Sequence, residues 1–474
     1  MKYQFHAAPA RIRMPVIAGA AGALAALGGL AAAQPALGAA AAAVTCSAPA
    51  LISAITAANS AGGGTITLAG GCTYTLTAVN NSTDGPTGLP FITGKITVQG
   101  NGATITRSTT AKPFRLFAVA AGGSLSLNSV RLSNGLADSN ILGGGAVYST
   151  GPLSVSGSTF TGNSAPSPTG SSGGAINASG PLTVTNSTFT GNTAQEGGAV
   201  LTQSTATVTD STFSRNTGTI YGGGALLVAV GTTTVTGDTF SGNTTGASGG
   251  GGAIDNDATV HIGDSTFTGN TGGTNGGGAL QNFGAMTVSY ATLSGDSSPY
   301  GAEIHNDPAP GGSLTVGASI VANGRQGSNC GGPAPLTDGG YNLDSGSSCG
   351  FSAASGSLSN ANPQLGSLAS NGGPTQTMAV SPSSPAVNAI PASTQGCAGS
   401  TDQRGVSRPQ GAGCDIGAYE LAQVAGQTGA VTGYGGKCLD DYHSSTANGT
   451  KIDLYSCNGT RAQAWTFQET GTTS

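Results

Sequence analysis

Charge is scarce in this sequence, and each kind of scarcity removes a class of function. Charged side chains make up 7% of the 474 residues, and the formal net charge is −5. With so few cations there is nothing to neutralise a phosphate backbone, so nucleic acid is excluded as a partner. No lysine occurs between Lys112 and Lys437, and the repeat region offers only Arg215, with Arg325 just beyond it. A polysaccharide lyase commonly takes its base from Lys or Arg, which disfavours that chemistry here. No CxxC spacing exists, which argues against a zinc site. The strict Gly-X-Y period of collagen is missing despite 82 glycines. Disorder is disfavoured as well, because Val, Ile and Thr are plentiful and net charge is low. What remains for so much Gly, Thr and Asn is a fold of many short strands and tight turns.

The first residues read as an export signal. Lys2, Arg11 and Arg13 precede an uncharged Ala/Gly/Leu run from Met14 to Ala33, and small residues follow Pro35. Cleavage is expected around Gly38 to Ala43. The competing reading is an uncleaved anchor, since the run approaches the length of a membrane span. Its Ala/Gly content makes it weakly hydrophobic and favours the signal. No later run is apolar enough to span a bilayer, so no membrane insertion is expected after signal removal. Eight cysteines follow, in four local pairs by position: Cys46 with Cys72, Cys330 with Cys349, Cys397 with Cys414, and Cys438 with Cys457. An even count in an exported chain suggests disulfides, though spacing alone does not fix the pairing.

An internal repeat decides the fold. Two glycines, an alanine and an aliphatic residue recur at 144–147, 173–176, 197–200, 223–226, 251–254 and 277–280, with a decayed copy at 301–304. About 14 residues after each comes Phe-x-x-Asn: Phe160 to Asn163, Phe189 to Asn192, Phe213 to Asn216, Phe240 to Asn243 and Phe267 to Asn270. Leu132 and Leu293 hold the Phe position in flanking coils. The segments before each Phe alternate, as in Leu182-Thr183-Val184-Thr185, which is a half-buried strand of period two. A unit of 23 to 29 residues cannot bury its own apolar face, but stacked units can. The expected fold is all-β, a right-handed parallel β-helix. Ala points inward, Phe forms an interior stack, and Asn forms a ladder. Irregular coils are expected upstream at 65–68, 95–98 and 103–106. A short capping helix is expected at 51–58, and at least one more coil downstream at 314–321.

The alternation of Gly-Gly-Ala-Ile with Phe-x-x-Asn over 120–300 resembles the repeats of the polymorphic outer-membrane proteins, which implies a right-handed β-helix with an adhesin role. Their membrane barrel is not expected here, so their anchoring mode does not transfer. Residues 360 to 420 resemble a choice-of-anchor Q domain through Asn371 to Thr375, Ser384-Pro385-Ala386, Thr401 to Gly405 and Asp415 to Glu420. That resemblance implies a bacterial surface location; Arg404, Arg408, Asp402 and Asp415 are expected to pair around a C-terminal cap. Residues 432 to 468 resemble one repeat of a ricin-type β-trefoil lectin. The match runs through Gly436 to Asp441, Asn448 to Thr450, Leu454 to Gly459 and Gln463 to Trp465. It implies a Cys438–Cys457 disulfide and a sugar pocket at Asp440, Asp453, Tyr455, Asn458 and Gln463. A carboxylate accepts paired sugar hydroxyls there, and Tyr455 stacks on a pyranose face. A trefoil takes three such repeats, and one is present. A longer chain, a trefoil shared among chains and a degenerate remnant all stay open.

The expected boundaries are a signal over 1–43, a capped β-helix over 44–324, and terminal coils with a cap over 325–422. A linker over 423–431 and the lectin repeat over 432–474 complete the chain. The repeat residues are explained by stacking and carry no catalysis. A hydrolase needs two facing carboxyl groups. The weak candidates are Asp255, Asp257 and His261, with Glu196, Asp210, Asp238 and Asp264 on other coils; turn chemistry explains them more simply. Glu303 and His305 break the coil pattern, as functional residues often do. No cofactor is expected; no DxDxDG-type calcium loop is present, which leaves structural calcium open. The favoured function is adhesin-like recognition of extracellular glycans by a secreted or cell-surface protein. A polysaccharide lyase or glycoside hydrolase and a purely structural surface protein are the alternatives.

Overall fold

The computed structural model describes residues 43–138, 142–166, 172–274, 276–422, 428–429, 437–441, 451–458, 460–463 and 465–466. The expected signal segment lies outside them. Strands stack in parallel sheets of 11, 12 and 9 strands, with a fourth, short sheet of 4. One coil shows the plan. Leu182–Thr185 belongs to the first sheet, Thr188–Thr190 to the second, Thr193–Ala194 to the fourth, and Val200–Thr202 to the third. Each strand pairs in parallel with its equivalent one coil away: Phe160 with Phe189, Phe189 with Phe213, and Val184 with Val208.

The register explains the repeat chemistry. In the first sheet Leu182 and Val184 are buried while Thr183 is exposed, the period-two pattern of a strand with one face in the core. The alanines after each Gly-Gly, from Ala146 to Ala302, are fully buried. The five phenylalanines stack with ring centroids 4.7 to 4.9 Å apart and planes within 8° of parallel. Coil spacing imposes this near face-to-face geometry, although isolated rings prefer an offset. The asparagines do form a ladder. Asn163 Nδ2 donates to Asn192 Oδ1 at 3.1 Å, and the pattern runs through Asn216 and Asn243 to Asn270. Asn270 in turn donates to Asp296 Oδ1 at 2.8 Å. The second hydrogen of each amide reaches a backbone carbonyl, as Asn216 Nδ2 does to Phe189 O. A second ladder, Asn256 to Asn282 to Asn306, closes the third sheet's strand ends.

The helix Ala48–Ser60 covers the first coil, burying Leu51 and Ile55, with Ser47 as its N-cap. All four disulfides form between positional neighbours. Coils continue past the repeats through Ile320–Ala322 and Leu343–Asp344 to Leu358–Ser359.

Residues 371–421 then run along the flank of the second sheet. Thr375 Oγ1 donates to Gly237 O, Gly417 N to Ala318 O, and Ala418 N to Thr292 Oγ1. Arg404 pairs with Asp402 at 2.6 Å and stacks over Tyr419; Arg408 pairs with Glu420 and Asp264. Asp415 accepts from the backbone of Asn388 and Leu421. These charges fasten a lateral strap. Among the C-terminal residues, Lys437–Asp441 and Ile452–Ser456 form an antiparallel pair, and Thr428–Gly429 pairs with Trp465–Thr466.

Candidate functional site

The three strand residues of each third-sheet segment point in, out and in. Tyr148, Asn177, Leu201, Leu227, Asp255, Gln281 and His305 form the outward row, in register. Outward residues normally meet water, but this row is largely covered. The loop joining the fourth and third sheets differs in length between coils, and it rises beside the row. It contributes Glu196, Tyr221, Gly222, Ser248 and Gly250 to a cleft of about 410 Å³. The residue immediately after each strand forms the opposite wall, Asp257 in one coil and Phe283 in the next. Leu227 and Asp255 make the floor. Phe283 also borders a second hollow of about 520 Å³ with Thr274, Tyr300, His305 and Asp307. The two hollows form one acidic, aromatic groove, and Tyr221 and Tyr300 at its rim are each 59% exposed.

Asp255 is the centre of this arrangement. It is 95% buried by accessibility, at 5% exposure, and its Oδ1 has no hydrogen-bond partner. Glycine is required on two sides of it. A Cβ at Gly222 would fall 1.3 Å from Asp255 Oδ2, and one at Gly250 2.4 Å from the same atom. Burial pushes the Asp255 carboxyl well above the ordinary range, and the charges of Asp257 and Glu196 push it further. Asp257, at the exposed lip, is raised by desolvation and then by Glu196. Glu196 accepts from Ser172 Oγ at 3.1 Å. One coil on, Gln281 is fully buried with Nε2 unpartnered, while its Oε1 lies 2.8 Å from His305 Nδ1. Burial lowers the His305 pKa, which favours the neutral ring. Asn177 Oδ1, on the same row, is unpartnered too. Of these three, Asp255 alone lines the cleft, which makes its unpaired oxygen the one beside the space a ligand could fill.

The candidate residues from sequence separate. Asp255 and Asp257 come together, and Glu196 from two coils away joins them. Asp255 is a buried strand residue, not the solvated turn residue that the bland reading supposed. His261 does not join them: the turn at Asp257 and Ala258 carries the chain onto the first sheet, where His261 faces out and Nδ1 meets Thr287 Oγ1 at 2.7 Å. Asp238 is buried inside the coil, accepting from Ser211 N, and Asp264 serves Arg408. Glu303 points inward to accept from Gly295 and Asp296 backbone N–H groups, whereas His305 points out into the groove. Tyr221, Phe283, Tyr300 and Asp307 escaped notice in the sequence. Their common signal is position: each lies in the variable loop or directly after a third-sheet strand.

At the C-terminal end, Gln463 Nε2 donates to Asp440 Oδ2 at 2.7 Å and to Ser456 O at 2.9 Å; Asn458 N donates to Gln463 Oε1. Asp440 pairs across the hairpin with Asp453 and Cys438 with Tyr455, which puts Asp440, Asp453 and Tyr455 on one face. Tyr455 is exposed. Gln463 is thus occupied as a brace. Among the described residues no group of His, Cys, Asp and Glu is arranged to hold a metal ion. No helix among them is long and apolar enough to cross a membrane.

Residues 94–271 match the family described as right handed beta helix region. The matched β-helix segment holds every repeat coil up to Asn270 and the Asp255 floor of the groove. No curated protein and no solved structure matches the chain.

Proposed function

We propose that this protein is an exported β-helix that binds extracellular polysaccharide along the third-sheet groove, with the C-terminal lectin-like hairpin as an accessory contact. The carrying observation is the cleft floor at Asp255, a buried carboxyl with an unpartnered oxygen, set between Phe283 and the exposed Tyr221. Sugars suit both features, because they bring many hydroxyl donors and acceptors and apolar ring faces for aromatic contact. An elongated groove crossing successive coils fits a chain polymer better than a small compact ligand. Four disulfides accord with an oxidising, extracellular setting. The adhesin-like role belongs to this proposal, with surface attachment through the choice-of-anchor resemblance.

A glycan array probed with the purified chain tests the reading. Binding should fall about ten-fold or more in Tyr221→Ala with Phe283→Ala, and less in Asp440→Ala with Tyr455→Ala. Loss confined to the hairpin variant would move recognition to the lectin repeat. Silence across the array would leave the structural-protein reading in its place.

One observation favours a second reading, glycoside hydrolysis. Burial, with Asp257 and Glu196 beside it, raises the Asp255 carboxyl well above the ordinary range, the direction that pairing a proton donor with a base requires. Asp255 would protonate the glycosidic oxygen while Asp257 or Glu196 takes a proton from the attacking water. Release of reducing ends from a bound glycan, lost in Asp255→Asn, is the expected sign. Bound glycans that stay intact on long incubation exclude it.

A further inference from the structure

The groove's walls hold only one sign of charge. Glu196, Asp255 and Asp257 surround the first hollow and Asp307 borders the second, and no Lys or Arg lines either. The arginines of the β-helix lie elsewhere. Arg131 sits on a second-sheet strand, and Arg215 follows another at the turn after Ser214. Arg325 packs by Gly295 on that same side, and Arg404 and Arg408 bind acids in the strap. Arg115 is buried against Tyr148, four coils from Asp255 along the outward row. On the second-sheet flank, Asp264 and Glu420 have a cationic partner in Arg408. The groove acids repel one another instead, and His305, the one basic ring there, is biased toward its neutral form.

We propose that the groove selects polysaccharides bearing free amino groups and rejects polyuronates. This rests on the glycan-binding reading and names its substrate class. An ammonium offers three donors to the carboxyl groups of Glu196 and Asp257, which line the first hollow beside Asp255, itself 5% exposed with Oδ1 unpartnered. Its positive charge relieves the repulsion among the three carboxyl groups, which no residue of the lining does. Tyr221 and Phe283 supply aromatic faces that attract a cation as well as a pyranose. A uronate would add a fourth carboxyl group to the same space, without a cation to meet it.

The test is isothermal titration of the purified chain with three oligosaccharides of equal length: a glucosamine hexamer, its N-acetylated counterpart, and a galacturonate hexamer. The glucosamine hexamer should bind at least ten-fold more tightly than the acetylated one, and the galacturonate should give no heat. Glu196→Gln with Asp257→Asn, which keeps side-chain shape, should erase that preference with a Tm no lower than the parent's. Equal or tighter binding of the acetylated or uronate hexamer overturns the charge selection and leaves the glycan-binding reading standing. Failure to bind any glycan, here and on the array, overturns both.

Discussion

At the residue scale, the structure keeps several acids where charge is expensive. Asp255, Asp238 and Glu303 are all raised well above the ordinary carboxyl range, chiefly by burial, and Asp296 rises to about 6 for the same first reason. A carboxyl group that is raised on folding holds its proton more tightly in the folded state than in the unfolded one. Stability is therefore full below the unfolded value near 4 and falls as pH rises through the folded value. Asp255→Asn removes one such group without changing shape. We expect its Tm at pH 8 to exceed that of the parent by about 2 °C or more, and the two to converge near pH 4. A parallel pair of melting curves across that range would disprove the buried-acid account. The sequence showed Asp255 two residues from Asp257, but not its burial. That burial comes from Gly222 and Gly250, 33 and 5 residues away, whose missing side chains make the space.

At the element scale, the stack and ladder bear the coil. Phe213→Ala opens a cavity between Phe189 and Phe240 and should cost about 3–5 kcal/mol in denaturant unfolding. Asn216→Ala strands Asn192 N and one hydrogen of Asn192 Nδ2, while Asn243 Oδ1 keeps the backbone donor of residue 216, and should cost about 1–3 kcal/mol per buried group left unsatisfied. An effect below about 1 kcal/mol for either would contradict these roles. These elements were legible because the same residue type recurs at each coil. The strap was not. Thr159, Thr188, Thr212, Thr239, Thr266 and Thr292 form one column in register, yet only the last three are buried. The strap covers them. Gln403 accepts from Thr266 Oγ1 at 2.6 Å and reaches Asp238 O, Thr239 and Thr375 with its amide nitrogen. Contacts spanning some 130 to 165 residues leave no local trace in sequence. Gln403→Ala should speed amide exchange over 371–421 about ten-fold while leaving the Phe-bearing strands unchanged.

At the scale of the whole molecule, repetition and the proposed site occupy different parts of each coil. Residues that face the core repeat, because every coil must meet the one below. Residues of the groove do not repeat, because they come from the variable loop, the outward row and the turn after it. That is why the β-helix was readable from Gly-Gly-Ala and Phe-x-x-Asn, while the groove was glimpsed only through Asp255, Asp257 and an isolated Glu196. The stretch Thr401 to Gly405 stood out in the sequence without revealing the sheet that Gln403 grips. Asp440, Asp453 and Tyr455 meet as a hairpin patch braced by Gln463, and its contribution is a separate question from the groove's. The most direct measurement is the affinity of the purified chain for the glycan it binds best, compared with that of Tyr221→Ala with Phe283→Ala. Binding weakened about ten-fold or more at unchanged Tm is the expected result. Equal affinity in parent and variant would contradict the assignment of the groove as the binding site.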